Sequence, residues 1–406
     1  MKSLSTTITV NTLALLAGRA ISLACGGVTM MIVAGSLGVA GYGDFATIFS
    51  YLGILAIVNE FGLDQLYISF AGKKDEHGKI QMLANFFIIR LILATVFVLL
   101  VLALAIFFAK PQLKQGLVLA SLIYVFTYQA TAIMSYFQSK LLLVRNTIVD
   151  TCGKLVSLGV IAGLFFFSRV NLSTVILANV TGSAVVFFAM MTLLVLELKR
   201  QIRFKLSFSY LTHIFSSAFP LAFIAFLNQF FFRLDIPLLA YYRSGQETGL
   251  YAFAYKLFEL SAYPGSFITA SVYPLLSSVA QGAKFWKILS KSTCVITGIS
   301  AVIGLVAIIF FPSLKYLAFV NKYISSYSYV IILFISLPFL SLQGLYASVF
   351  ILKSRQKMLA AIYSLALALN ALLNFVFIPI YGATAAAIIT TFTQTAVTIF
   401  LMLKTR

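Results

Sequence analysis

The sequence predicts an all-α integral membrane fold: twelve transmembrane helices in two six-helix lobes, with both termini on the cytoplasmic side. Three observations carry that expectation. Only 10% of the 406 residues are charged and 61% are hydrophobic, whereas a water-soluble domain averages about 25% charged. The apolar residues run continuously over lengths near the ~20 residues a helix needs to cross hydrocarbon, without the alternation of a membrane barrel. Basic residues, finally, crowd into every second connection.

The predicted spans are 9–37, 43–63, 82–109, 115–137, 146–168, 174–196, 211–240, 248–276, 289–312, 327–351, 359–379 and 384–403. No cleavable leader is expected, because the first apolar run is too long for a signal core and lacks a clear cleavage site. Both termini and the even-numbered connections, with Lys291 at the entry of the ninth span counted among them, hold eighteen Lys and Arg, the odd-numbered connections six. Positive charge marks the cytoplasmic side, so the N- and C-termini are expected there. A missed span would scramble this alternation. The net charge of +19 is thereby read as loops against a membrane leaflet, and no nucleic-acid partner is expected.

Connections are short, which leaves no room for an extramembrane catalytic or nucleotide-binding domain. The most basic one, Lys199-Arg-Gln-Ile-Arg-Phe-Lys205, falls at mid-chain. It divides the chain into an N-terminal lobe (1–198), a cytoplasmic linker (199–210) and a C-terminal lobe (211–406). An internal echo supports the division. Gly43-Asp-Phe-Ala opens the second span and Gly249-Leu-Tyr-Ala opens the eighth, its counterpart in the other half. Both would enter the membrane from one side, so the repeat is parallel, and transporters place their substrate at such repeat interfaces.

Five cations sit inside the spans: Arg19, Arg90, Lys154, Arg233 and Lys256. A buried cation at mid-helix costs at least ~2.5–3.5 kcal/mol on insertion scales, and ionisable residues in spans are functional by default. A cation-rich interior fits an anionic passenger. Asp150 and Lys154 stand four apart and Lys256 and Glu259 three apart, spacings that permit either local neutralisation or a polar lining. Arg233 shares a helical face with Gln229 but not with Asp235. Arg19 and Arg90 have no acid within four positions on their own helices, so each needs a partner across the bundle, water or a ligand. The planar guanidinium suits phosphate, because it donates two hydrogen bonds at once. Glu60 and Asp64 fall at the end of the second span, where they read as interfacial acids or as counter-charges for Arg19 or Arg90.

The remaining polar and special residues suggest scaffold roles. Pro220, Pro264, Pro274 and Pro338 would bend helices. Asn370, Asn374 and Gln394 read as interhelical glue, and Tyr241, Tyr242, Tyr323, Tyr327 and Tyr329 as an interfacial belt. Three scattered cysteines and two isolated histidines give no metal site and no disulfide framework. No nucleotide-binding or hydrolase motif is present. No catalytic residue or cofactor is therefore expected, and energy would come from a coupling ion (H+ or Na+) or from the substrate's own gradient.

With these features in hand the chain resembles the polysaccharide repeat-unit flippases, or O-antigen translocases, of the multidrug/oligosaccharidyl-lipid/polysaccharide exporter superfamily. The residues that carry the likeness are Gly18-Arg19, Leu37-Gly-Val-Ala-Gly-Tyr-Gly43-Asp-Phe-Ala, Phe61-Gly-Leu-Asp64, Phe219-Pro220, Arg233-Leu-Asp235 and Gly249-Leu-Tyr251-Ala-Phe-Ala-Tyr-Lys256-Leu-Phe-Glu259. The resemblance implies export of an undecaprenyl-diphosphate-linked oligosaccharide from the inner to the outer leaflet of the bacterial inner membrane, by alternating access of the two lobes. Membrane lipids, and the polymerase and chain-length proteins of the same pathway, would be its partners. Arg19, Arg233 and Lys256 lie within matching motifs; Arg90 and Lys154 rest on the charge argument alone. Asp64, Asp150, Asp235 and Glu259 would serve as counter-charges or coupling groups.

Two other readings remain open at this point. A drug exporter of the same superfamily should have a cavity governed by acids and aromatics, so as to draw organic cations. An integral-membrane glycan polymerase or glycosyltransferase should carry a sizeable polar loop or an acid-rich motif at one face, and this chain has neither.

Overall fold

The computed structural model describes residues 4–71, 75–198, 208–279, 282–316 and 321–405, and every regular element among them is helical. In chain order these are α1 (Leu4–Leu55), α2 (Ile57–Glu60), α3 (Leu63–Ala71), α4 (Glu76–Phe107), α5 (Pro111–Ser139), α6 (Leu143–Phe166), α7 (Leu172–Leu198) and α8 (Phe208–Arg233). There follow α9 (Asp235–Tyr242), α10 (Gly245–Ser261), α11 (Tyr263–Val279), α12 (Ala283–Phe310), two 3-10 turns (Phe311–Tyr316 and Asn321–Ser326), α13 (Tyr327–Ile335), α14 (Leu337–Leu352) and α15 (Gln356–Thr405). Among the described residues seven helical stretches are long and apolar enough to cross a membrane, or nine if each of two bent pairs counts as one span. The chain is a multi-pass membrane protein.

Breaks in these helices follow from local sequence. Gly38 (φ 74°) interrupts α1, and Gly382 (φ 59°) interrupts α15, a left-handed region that glycine enters without a steric penalty. A straight helix of 50 residues would be about 75 Å long. Instead α15 folds back on itself, because the Arg355 guanidinium at its start donates to the Lys404 carbonyl at its end (3.0 Å). Pro264 and Pro338 each open a new helix just after a break, and α13 and α14 meet at a bend of 41°. The residue before a proline is pushed out of helical geometry, which places both joints.

Two compact units emerge. The first comprises Met1–Ser36 and Ile48–Phe226, the second Leu37–Thr47 and Leu227–Arg406. The turn Leu37–Thr47, which the sequence assigns to the first lobe, packs with the second unit. Residues 199–207 of the expected linker lie outside the described residues.

In the first unit α5 is the central helix, packed on α3, α4, α6 and α7. Its core centres on Leu63, Tyr67, Phe86, Ile89, Ile133, Phe137 and Met190, with a second cluster of Ile48, Leu52, Phe97, Leu117 and Ile176. In the second unit the two echoing glycines meet. A Cβ on Gly249 would run into the Val39 carbonyl, and one on Gly43 would lie 2.9 Å from the Gly249 nitrogen. Only glycine allows backbones to approach so closely. Tyr42, Phe253 and Tyr323 pack beside this contact, with Phe253 and Tyr323 stacked at 4.3 Å. Tyr323, expected in an interfacial belt, is thus fully buried. Its hydroxyl donates to the Gly38 carbonyl (3.1 Å), which holds the turn.

Candidate functional site

Two groups of polar side chains lie within the first unit. Arg90 on α4 is fully buried, 0% exposed, and pairs with Asp64 on α3 at 2.5 Å. Its other terminal nitrogen donates to the Tyr128 carbonyl (2.7 Å) and to Thr131 Oγ1 (2.9 Å), while the guanidinium lies 5.7 Å from the Tyr128 ring centroid. Ser135 donates to the same Asp64 oxygen (2.9 Å). Tyr128, Thr131 and Ser135 stand at i, i+3 and i+7 and so line one face of α5.

Arg90, expected to meet substrate or a partner across the bundle, has such partners here: Asp64 and α5 engage both its terminal nitrogens. Asp64 thus takes the counter-charge place that the sequence left open to it. Glu60 and Asp64 bracket a break at Phe61 (φ 39°) and Gly62 (φ 66°), beyond which helix α3 continues to Ala71. The break turns Asp64 toward α4 and α5.

Lys154 forms the second group. It pairs with Asp150 (2.7 Å) and donates to Ser22 on α1 (3.0 Å). Lys154 and Asp150 are 45% and 46% exposed. Gly18 on α1 packs against Thr147 and Thr151 of α6, so α1 and α6 meet along 18–22 and 147–154. Arg19 belongs to this stretch of α1, and its side chain lies outside the described residues.

The second unit also holds two groups. Lys256 pairs with Glu259 at 2.7 Å on α10, and the two are 41% and 35% exposed. Glu259 also feels the charge of Arg233 at the end of α8, whose Nε reaches Gln229 Oε1 (3.4 Å). Glu259 is thus paired with Lys256 and lies within electrostatic reach of Arg233. Asp235 behaves differently, because the chain bends by 42° between α8 and α9. That bend turns it inward, 3% exposed, where it accepts from the Tyr251 hydroxyl, from Thr390 Oγ1 (3.3 Å) and from the Ile236 amide (2.9 Å). Its hydrogen-bond partners are all neutral.

From Thr390 the polar interior continues along α15. Asn370 donates to Thr393 Oγ1 (3.1 Å) and accepts from Asn374 (2.9 Å), and Gln394 donates to Gln343, which donates to the Tyr363 hydroxyl (3.1 Å). Sequence reasoning missed Tyr251, Thr390 and the Tyr128–Thr131–Ser135 face. A polar stripe at helical spacing on span four was the available signal for the last. Among the described residues no group of three or more His, Cys, Asp or Glu side chains gathers to hold a metal ion.

This arrangement defines a helical membrane protein of the transporter fold shared by lipid flippases and multidrug exporters. The lipid II flippase MurJ, in an inward closed conformation, is 13% identical with a TM-score of 0.78 over 98% of this chain and 87% of that one. An inward-facing multidrug resistance MATE family transporter of the MOP superfamily is 12% identical, with a TM-score of 0.78 over 96% of this chain and 97% of that one. A single-residue mutant of the Vibrio cholerae MATE transporter VcmN is 14% identical with a TM-score of 0.65 over 99% and 96%. At these identities the likeness speaks for the fold. No curated protein matches the chain by sequence. Residues 8–280 match the polysaccharide biosynthesis protein family, and the chain belongs to that family.

Proposed function

We propose that this chain is a flippase that moves an undecaprenyl-diphosphate-linked oligosaccharide, an O-antigen or capsule repeat unit, from the inner to the outer leaflet of the bacterial inner membrane. Twelve spans in two lobes (1–198 and 211–406, joined by 199–210), with both termini cytoplasmic, would alternate access to a cationic interior. The carrying observation is the Lys256–Glu259 pair, with Arg233 in electrostatic reach, in which Lys256 stays 41% exposed. A half-exposed ammonium at span depth calls for water or an anion beside it, and a diphosphate supplies that anion. Lys154 and Arg19, on α6 and α1 of the first unit, are the further cations proposed to meet the diphosphate. Arg90 would act within the first unit, through its pair with Asp64. The family and the fold shared with a lipid II flippase agree with this reading. Asp235 is the candidate for the coupling ion, H+ or Na+, since it is a buried carboxylate whose hydrogen-bond partners are neutral. The fold-mates are transporters, which favours transport over a membrane enzyme. Polymerase and chain-length proteins of the same pathway would be its partners.

One observation favours a second reading, an ion-coupled drug exporter: the fold is equally that of a MATE transporter. Complementation separates the two. In cells that lack the chromosomal copy, Lys256→Ala and Arg233→Ala should abolish surface glycan at normal protein levels, with Lys256→Arg retaining part of it. Full glycan from the double alanine variant would falsify the diphosphate assignment. Normal glycan together with drug hypersensitivity in the deletion strain would point to efflux.

A further inference from the structure

From Leu260 to Arg406 the chain has ten Lys and Arg and no Asp or Glu. Most of these cations gather where α12 begins and α14 and α15 end. Lys284, Lys287 and Lys291 are exposed at i, i+3 and i+7 of α12, one stripe on one face. The opposite face, Phe285, Leu289, Ser292 and Ile296, is buried in the second unit. The basic stripe runs on without a turn into Val295, Ile299, Val302, Val306 and Ile309, all exposed and apolar. From Lys291 to Ile309 is about 27 Å of helix rise, close to the hydrocarbon thickness, and Lys284–Lys291 adds about 10 Å, a headgroup layer.

A fourth ammonium arrives from the α14–α15 joint. Lys353 Nζ sits 4.8 Å from the Trp286 ring centroid and donates to the Thr405 carbonyl (2.7 Å). Arg355 and Lys357 are exposed beside it in sequence, and Lys404 on the returning helix. Burial and the neighbouring Arg355 push the Lys353 ammonium below its ordinary value, the direction expected where cations crowd without an acid.

We propose that this stripe binds anionic phospholipid: the headgroup on Lys284, Lys287 and Lys291, with Lys353 beside Trp286, and an acyl chain along Val295, Ile299 and Val302. Two features select a lipid over a soluble acidic partner. The cations lie directly in line with an exposed apolar face on a helix long and apolar enough to cross a membrane, and Trp286 stands among those cations, ahead of the apolar stretch, the kind of place indoles take at a bilayer interface. Basic clusters at span ends attract acidic headgroups, an effect that fades over a Debye length of about 8 Å at physiological salt.

Trp286 is the single tryptophan of the chain, so its fluorescence reads this place alone. The full chain is reconstituted in nanodiscs carrying brominated phosphatidylglycerol or, at the same mole fraction, brominated phosphatidylcholine. Quenching by the anionic lipid should correspond to an apparent preference of about fivefold, lost in Lys284→Gln/Lys287→Gln/Lys291→Gln and at high salt. Lys315→Gln/Lys322→Gln, at the other end of the unit, should keep it. Equal quenching of the wild type by both lipids overturns the proposal, and so does a preference that survives the triple substitution. Quenching by the zwitterionic lipid checks that Trp286 of each variant still lies in the membrane. Glycan output is not read, so the result stands apart from the flippase assignment.

Discussion

Asp64 Oδ1 holds the Arg90 guanidinium at 2.5 Å between α3 and α4, and the Ser135 hydroxyl on α5 closes on the same oxygen. Three helices are tied at one carboxylate. Removal of one partner strands the other, which costs about 3–5 kcal/mol when the pair is buried. Arg90→Ala should therefore lower the unfolding free energy by roughly that amount in detergent, and Arg90→Lys should restore little, since an ammonium lacks the fork that spans Asp64, Tyr128 and Thr131. In a double-mutant cycle, Asp64→Ala/Arg90→Ala should lose less than the two single changes summed.

Arg19 and Arg90 should separate by phenotype. Arg90→Ala is expected to reduce the amount of folded protein, and Arg19→Ala to leave that amount intact and stop transport. Immunoblots of membranes beside surface glycan staining make the comparison. Equal protein loss in both variants would contradict it.

The Gly43–Gly249 contact makes a steric prediction. A methyl group on Gly249 meets the Val39 carbonyl, and overpacking of this kind costs ~1–3 kcal/mol. Gly249→Ala should lower thermal stability by such an amount. Gly298→Ala on α12 is the control, since its added methyl group meets nothing within 4 Å and alanine favours helix.

Orientation is tested independently of mechanism. A reporter fused after Arg203 should read cytoplasmic, and one fused after Arg243 should read periplasmic. The reverse pattern would invert the assignment drawn from the loop charges.

Much of the fold was legible because hydrocarbon permits few solutions. Continuous apolar runs force helices, since every backbone group must be satisfied within its own segment. The i, i+3 and i, i+4 charge pairs were equally readable, and both Lys256–Glu259 and Asp150–Lys154 form. Long-range pairing was readable only as an option. Asp64, 26 residues from Arg90, was one of two acids offered as a counter-charge for Arg19 or Arg90; the choice among them depends on the break at Phe61–Gly62, whose two left-handed residues leave no hydrophobic period to read. Asp235 and Thr390 are 155 apart, joined by a bend at Leu234 that the sequence does not announce. The four-residue echo around Gly43 and Gly249 was visible as a repeat, but that the two glycines touch follows only from the fold.

The folded-back helix α15 is pinned at its tip, middle and base. At the tip Glu247 accepts from the Ala383 amide (2.7 Å) and holds Arg243 (3.0 Å); midway Asn370 spans to Thr393; at the base Lys353 and Arg355 grip Thr405 and Lys404. A hairpin fastened in this way behaves as a stiff rod. Thr390, which touches Asp235, rides on it. A change at Asp235 would therefore press, through Thr390, on the hairpin as a whole.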